Sequence, residues 1–191
     1  MSKIRSTLTP EQLRLFERTC IGHLLRLSDI KFSGVLVHSF LLRQLYRGFD
    51  KNEFWFRVNG VDVRFSPFEF ALMTGLPFSQ LTTLSSYIPH ASKHRIGDTY
   101  FQGCQKVQYH DIERVFLARP WGDNNIDAVK IALLYCLHMV LLGNDRRKKV
   151  SAEYLQLVDH LDEFNSYPWG VPVWQMTYES MSQASNRLCS G

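Results

Sequence analysis

Asn59-Gly60 lies inside the stretch Phe54-Trp-Phe-Arg-Val-Asn-Gly-Val-Asp-Val-Arg-Phe65, which alternates apolar and polar positions on both sides of the pair. Both turn positions of a two-residue hairpin need positive φ, and Asn-Gly meets that need with little strain. A loop of two residues leaves the register no freedom. Val58 must face Val61, Arg57 Asp62, Phe56 Val63, Trp55 Arg64 and Phe54 Phe65. One face is then wholly apolar; the other carries an Arg57–Asp62 ion pair and a Trp55–Arg64 contact. An isolated hairpin is marginal in water, so the apolar face is expected to lie on something. Ser66-Pro67-Phe68-Glu69 follows at once: an N-cap, a proline at the first helical position and a capping-box glutamate. Gly75 and then Pro77 stop that helix.

The remainder reads as helices. Thr9-Pro10-Glu11-Gln12 is a second capping box. Leu13, Phe16, Cys20, Leu24 and Leu27 then recur at helical spacing, for a helix of roughly four to five turns. Ser33-Gly34 opens a second helix through about Arg47, so dense in apolar residues that it is expected to be largely buried; Gly48 ends it. Residues 79–108 are rich in Ser, Thr, Gly, Gln and His and hold no period. A loop of that length inside a compact domain is usually functional or mobile. Tyr109 to Ala118 is a short helix with Ile112, Val115 and Phe116 inward. Asp123 is expected to cap a helix over 124–142 whose second half is apolar on all sides, the mark of a central core helix. Ser151 begins a helix with Leu155, Val158, Leu161 and Phe164 on one stripe. Asn165-Ser-Tyr-Pro-Trp-Gly170 is a junction, and Pro172 opens a last helix with Trp174, Tyr178 and Met181. The fold class is therefore mainly α: a single helical domain over residues 1–191 with one inserted β-hairpin, and a polar tail after about residue 183.

With 191 residues, 45% of them hydrophobic, the chain can build a real core. A formal charge of +4 permits a nucleic-acid partner without requiring one. The longest apolar run, Ile131 to Leu142, is shorter than the ~20 residues a bilayer span needs, so no membrane partner is expected. The charged amphipathic N-terminus does not read as a signal peptide. Cys20, Cys104, Cys136 and Cys189 are far apart and form no Cys-x-x-Cys pair. Free thiols in a reducing compartment, cytosol or nucleus, are the expectation.

Catalytic and metal motifs are lacking. The histidines make no pair at ligand spacing, and no cofactor or metal is expected; His38 and His138 read as satisfied core histidines within apolar helices. Cys104, with His110 and Asp111 nearby, could suggest a nucleophile set, but such pairing is spatial and sequence proximity does not establish it. No phosphate-loop, dinucleotide or nucleophile-elbow pattern occurs, so no catalytic residue is assigned. Asp159, Asp162 and Glu163 read as a solvated face. Two basic clusters remain: Arg146-Arg147-Lys148-Lys149 between helices, and Lys93-His94-Arg95 in the irregular stretch.

Several stretches together resemble one family: His23-Leu-Leu…Asp29-Ile-Lys-Phe-Ser-Gly34; Glu53-Phe-Trp-Phe-Arg-Val-Asn-Gly60; Val63-Arg-Phe-Ser…Glu69-Phe-Ala-Leu-Met-Thr-Gly-Leu76; and Phe164-Asn-Ser-Tyr-Pro-Trp-Gly170. In order and spacing they resemble the plant transposon-associated domain of unknown function that precedes Ulp-type SUMO-protease domains in Mutator-like elements and occurs in VANC anti-silencing proteins of VANDAL transposons. The resemblance covers about residues 15–182. It implies a plant nuclear context and, on the VANC side, recognition of double-stranded DNA in anti-silencing and epigenetic regulation. The protease core is absent, so protease activity does not carry over. Phe56, Gly60, Phe65, Gly75, Pro168 and Trp169 match the family at positions that look structural.

The first functional expectation is a DNA-binding domain without enzymatic activity. Arg146, Arg147, Lys148, Lys149, Lys93 and Arg95 would contact phosphates, and His94 a base edge. The alternative is a non-catalytic protein–protein interaction domain, accessory to a transposon-derived SUMO-protease-like protein, with an exposed Trp121, Trp169 or Trp174 as anchor. A face of clustered Lys and Arg would favour DNA; a contiguous apolar surface would favour a protein partner.

Overall fold

The computed structural model describes residues 1–27, 33–45, 52–79, 84–89, 95–102, 107–143 and 149–189. In chain order the α-helices are α1 (Ser2–Thr7), α2 (Pro10–Glu17), α3 (Gly34–Leu41), α4 (Pro67–Thr74), α5 (Arg95–Tyr100), α6 (Tyr109–Ala118), α7 (Asn125–Cys136), α8 (Ala152–Leu157), α9 (Leu161–Ser166) and α10 (Gly170–Cys189). The strands are β1 (Gln44–Leu45), β2 (Phe54–Val58) and β3 (Val61–Phe65). The fold is mainly α with a small antiparallel sheet, as the sequence leads one to expect. The chain divides into two compact units. Unit 1 comprises residues 1–29 and 81–167; unit 2 comprises 30–80 and 168–191. Each is assembled from two separated stretches, so no linker marks a boundary in the sequence.

Unit 1 is built around α7. Asn124, not Asp123, caps it: the Asn124 side chain accepts from the Asp127 N–H at 3.0 Å. Every residue from Asp127 to Cys136 is buried, and α2 and α6 pack against it. The helix then widens into a π-helical turn, Leu137–Leu141, in which the Leu142 N–H reaches back to the Leu137 carbonyl at 2.8 Å. The first long helix is shorter than its periodicity predicts. It ends at Glu17, and a 3₁₀ turn, Gly22–Arg26, carries Leu24 and Leu25 inward. The break has local causes. The Thr19 hydroxyl donates to the Phe16 carbonyl at 2.7 Å, competing for a helical acceptor. A Cβ at Gly22 would lie 2.4 Å from the Glu17 carbonyl oxygen, so the chain folds back where only glycine fits. The stripe from Leu155 to Phe164 is likewise two short helices, α8 and α9.

Unit 2 holds the hairpin. All five cross-strand pairs are those the two-residue turn dictates, with φ of 51° at Asn59 and 81° at Gly60. Ser66 and Glu69 close the capping box on α4, and Gly75, at φ 66°, ends it. Beneath the sheet, Trp174 of α10 meets Phe65 and Phe70 at ring-centroid distances of 5.4 Å each and Phe54 at 6.3 Å. Its indole N–H donates to the Asn52 side-chain carbonyl at 2.7 Å. A Cβ at Gly170 would come within 2.1 Å of the Phe78 ring, which explains the glycine of the Tyr-Pro-Trp-Gly junction.

The second helix departs most from expectation. It stops at Leu41, and residues 44–45 pair with β2 as a third strand instead of continuing to Arg47. It is also not buried: none of its residues is, and Val35 is 83% exposed. The apolar face of the hairpin is covered only in part. Phe54 and Phe56 are buried, while Val61 and Val63 remain exposed at 63% and 43%.

Candidate interaction surfaces

Of the seven basic-cluster residues singled out from sequence, Lys93, His94, Arg146, Arg147 and Lys148 lie outside the described residues. Lys149 is exposed, and its backbone bridges to Gln108 ahead of α6. Arg95 is engaged inside unit 1. Its guanidinium grips the Asp127 carboxylate with two bonds, Nη1 to Oδ2 at 2.9 Å and Nη2 to Oδ1 at 2.5 Å.

That grip belongs to a charged cluster. The Tyr100 hydroxyl donates to Asp127 Oδ2 at 2.7 Å, and Lys130 Nζ donates to the Asp159 carbonyl at 2.7 Å. Asp159 Oδ2 also accepts from the Ile96 N–H at 3.0 Å. The Asp127 carboxyl is held below its ordinary pKa by the Arg95 hydrogen bonds, and burial raises the Tyr100 phenol to about 12. The cluster fixes α5, in a stretch that sequence period leaves blank, against α7 and the turn after α8. Asp159 therefore does not belong to a solvated face: its side chain is 7% exposed. Only the charged residues at the start of α5 hint at this in sequence, since the partners lie far along the chain.

The histidine readings also change. His38 is exposed rather than in the core. His138 is fully buried, in the π-helical turn, with ring centroids 4.6 Å from Tyr109 and 5.3 Å from Tyr154. Neither of its ring nitrogens has a hydrogen-bond partner among the described residues, so it is buried but not satisfied. Burial pushes its pKa down to about 3. Among the described residues, no group of three His, Cys, Asp or Glu side chains could hold a metal ion. Cys20 and Cys136 are free thiols whose pKa values burial raises to about 12, which makes them inert at neutral pH. Cys104 lies outside the described residues. No helix of the described residues is long and apolar enough to cross a membrane.

Trp121, Trp169 and Trp174 are buried core residues, not surface anchors. The exposed apolar groups lie elsewhere and concentrate in unit 2. On α4, Phe70 turns inward to Phe65, Phe78 and Trp174. Phe68, Leu72 and Met73, on other sides of the same helix, are 64%, 71% and 76% exposed. Leu36 and Phe40 on α3 and Leu42 just after it are exposed, and Phe40 also meets the Phe56 ring edge-on at 5.5 Å. Val61 and Val63 add the outer strand of the sheet. The sequence signal was present, since α4 is apolar all round, but that pattern normally marks a buried helix.

Residues 41–180 match the family described as a domain of unknown function, DUF1985. The chain belongs to that family. The DUF1985 match takes in the sheet, α4, the core helix α7 and most of α10; α1, α2 and nearly all of α3 precede it. No curated protein and no solved structure matches the chain.

Proposed function

We propose that this DUF1985 chain is a non-catalytic protein-interaction domain, an accessory module of transposon-derived nuclear proteins in plants, and that unit 2 carries its contact surface. The observation that carries this reading is the outer side of α4, where Phe68, Leu72 and Met73 stand in solvent on a helix whose Phe70 is already packed inward. Large exposed apolar groups on neighbouring elements mark interaction sites more often than they occur by chance on a monomer. The nuclear and transposon setting rests on the family resemblance of the hairpin, α4 and the Tyr-Pro-Trp-Gly junction.

The test is quantitative capture from nuclease-treated plant nuclear extract on immobilised wild type and on the Phe68→Ser/Leu72→Ser/Met73→Ser chain. Proteins held by the wild type should be lost from the variant. Identical capture by both would remove α4 from the surface. A second reading, binding of duplex DNA, is favoured by one observation: Lys149, the last residue of the basic run, is exposed where the chain enters α8. Replacing Arg146, Arg147, Lys148 and Lys149 with alanine should then flatten the salt dependence of binding by ~0.9 for each phosphate no longer neutralised, read by fluorescence anisotropy at two salt concentrations.

A further inference from the structure

Ser6 and Ser151 are exposed serines of unit 1, and both follow basic residues. Ser6 comes after Lys3 and Arg5; Ser151 comes after the run Arg146-Arg147-Lys148-Lys149, with Val150 between. Their backbones differ. Ser6 lies inside α1, and its hydroxyl donates to the Lys3 carbonyl at 3.1 Å. Ser151 stands just ahead of α8 in extended backbone, with φ −63° and ψ 136°. Its Oγ lies 3.4 Å from the Glu153 backbone nitrogen and 3.4 Å from Glu153 Oε2. Both contacts exceed the ~2.5–3.2 Å of ordinary hydrogen bonds, so the hydroxyl is loosely held.

A protein kinase takes its substrate serine in an extended segment, with the hydroxyl open to the γ-phosphate of the nucleotide. A kinase whose substrate groove is acidic favours lysine and arginine on the N-terminal side of that serine, by charge complementarity. Ser151 meets these conditions: it is exposed, extended and preceded by the strongest basic run of the chain. Ser6 meets the charge condition alone, because α1 would have to unwind to present it. The approach to Ser151 is held by a short pairing. Lys149 bridges to Gln108, and the Val150 N–H donates to the Val107 carbonyl at 2.8 Å. Local opening of that pairing admits the segment to a cleft and leaves the α7 core intact.

We propose that Ser151 is a phosphorylation site for a serine kinase that reads the basic run before it. In the step, Ser151 Oγ attacks the γ-phosphorus of a magnesium-bound nucleoside triphosphate. The bond from that phosphorus to the β,γ-bridging oxygen breaks, the nucleoside diphosphate leaves, and the hydroxyl proton passes to the carboxylate base of the kinase. The product carries about −1.5 to −2 charges at neutral pH, which offsets close to half the charge of the four basic residues. It repels the Glu153 carboxylate beside it and attracts Lys149. The site lies in unit 1 and depends neither on the contact surface of unit 2 nor on duplex binding.

Incubation of the full chain with magnesium ATP and the catalytic subunit of a basic-directed serine kinase tests it, read by intact mass and by mapping of the modified peptide. The wild type should gain one phosphate, on Ser151. Ser151→Ala should not take it up, and Ser6→Ala should take it up as the wild type does. Replacing Arg146, Arg147, Lys148 and Lys149 with alanine should slow incorporation about tenfold or more, because the groove of the kinase loses its opposite charges. Mapping on the wild type locates the phosphate directly, so the result does not hang on the folding of a variant. No incorporation into the wild type, phosphate on Ser6 with Ser151 unmodified, or an unchanged rate in the alanine-run variant would overturn the proposal. Capture that depends on Phe68, Leu72 and Met73 would survive each of those results, so the two failures are distinguishable.

Discussion

Unit 1 and unit 2 treat similar apolar sequence in opposite ways. In unit 1 the run from Ile131 to Leu137 is apolar on every side and buried on every side, because α2 and α6 close around α7. In unit 2 the helices α3 and α4 are as apolar as α7, yet neither holds a fully buried residue. Their inner sides pack on α10 and the sheet, and their outer sides stay in solvent. Hydrophobic composition predicts that a helix needs apolar contact; it does not say whether the same chain supplies that contact. Where the chain does not, the surplus marks a surface that another molecule can complete.

The largest effect should come from removing a core side chain in either unit. Leu133→Ala on α7 should cost about 2–5 kcal/mol and Trp174→Ala on α10 about 3–5 kcal/mol, because both side chains are buried and leave cavities. Urea unfolding measures both. If Trp174→Ala were nearly neutral, unit 2 would lack the aromatic core that anchors its exposed helices, and the contrast between the units would fail.

A smaller effect sharpens the account of unit 1. His138 has a folded pKa near 3, against an unfolded value near 6.5. The folded state therefore binds fewer protons between those values. Stability from this site is fully present above about pH 6.5 and falls as pH drops toward 3, by up to ~1.4 kcal/mol per pH unit. The neighbouring rings, Tyr109 and Tyr154, stay neutral across that window, since both phenols are shifted upward. His138→Phe should remove this slope. Urea midpoints at pH 7 and pH 5 should show the wild type losing about 2 kcal/mol more than the variant. Equal losses would mean that the imidazole finds a partner.

The legible parts of this fold were those written locally. The Asn59-Gly60 register, the Ser66–Glu69 capping box and the Gly75 stop need only neighbouring residues, and all three stand as read. The parts that went astray depend on distant partners. The position of α5 is set by Asp127 and Asp159, and α3 ends where residues 43–45 meet β2, which no periodicity announces. The tryptophans illustrate the same limit for function. Aromatic anchors suggested a partner, but Trp174 has its partner in Asn52, while the exposed groups of α4 sit beside a capping motif that reads as purely structural.

The central claim is that the outer side of α4 is surface and not core. It is tested most directly by urea unfolding of two variants side by side. Phe70→Ala should lose about 2–3 kcal/mol, less than a fully buried aromatic, because Phe70 is partly buried against Phe65, Phe78 and Trp174. Phe68→Ser/Leu72→Ser/Met73→Ser should shift stability by no more than ~0.5 kcal/mol per substitution, as exposed positions do. A triple variant destabilised as severely as Phe70→Ala would show that these side chains are already covered within the chain, and would contradict the account.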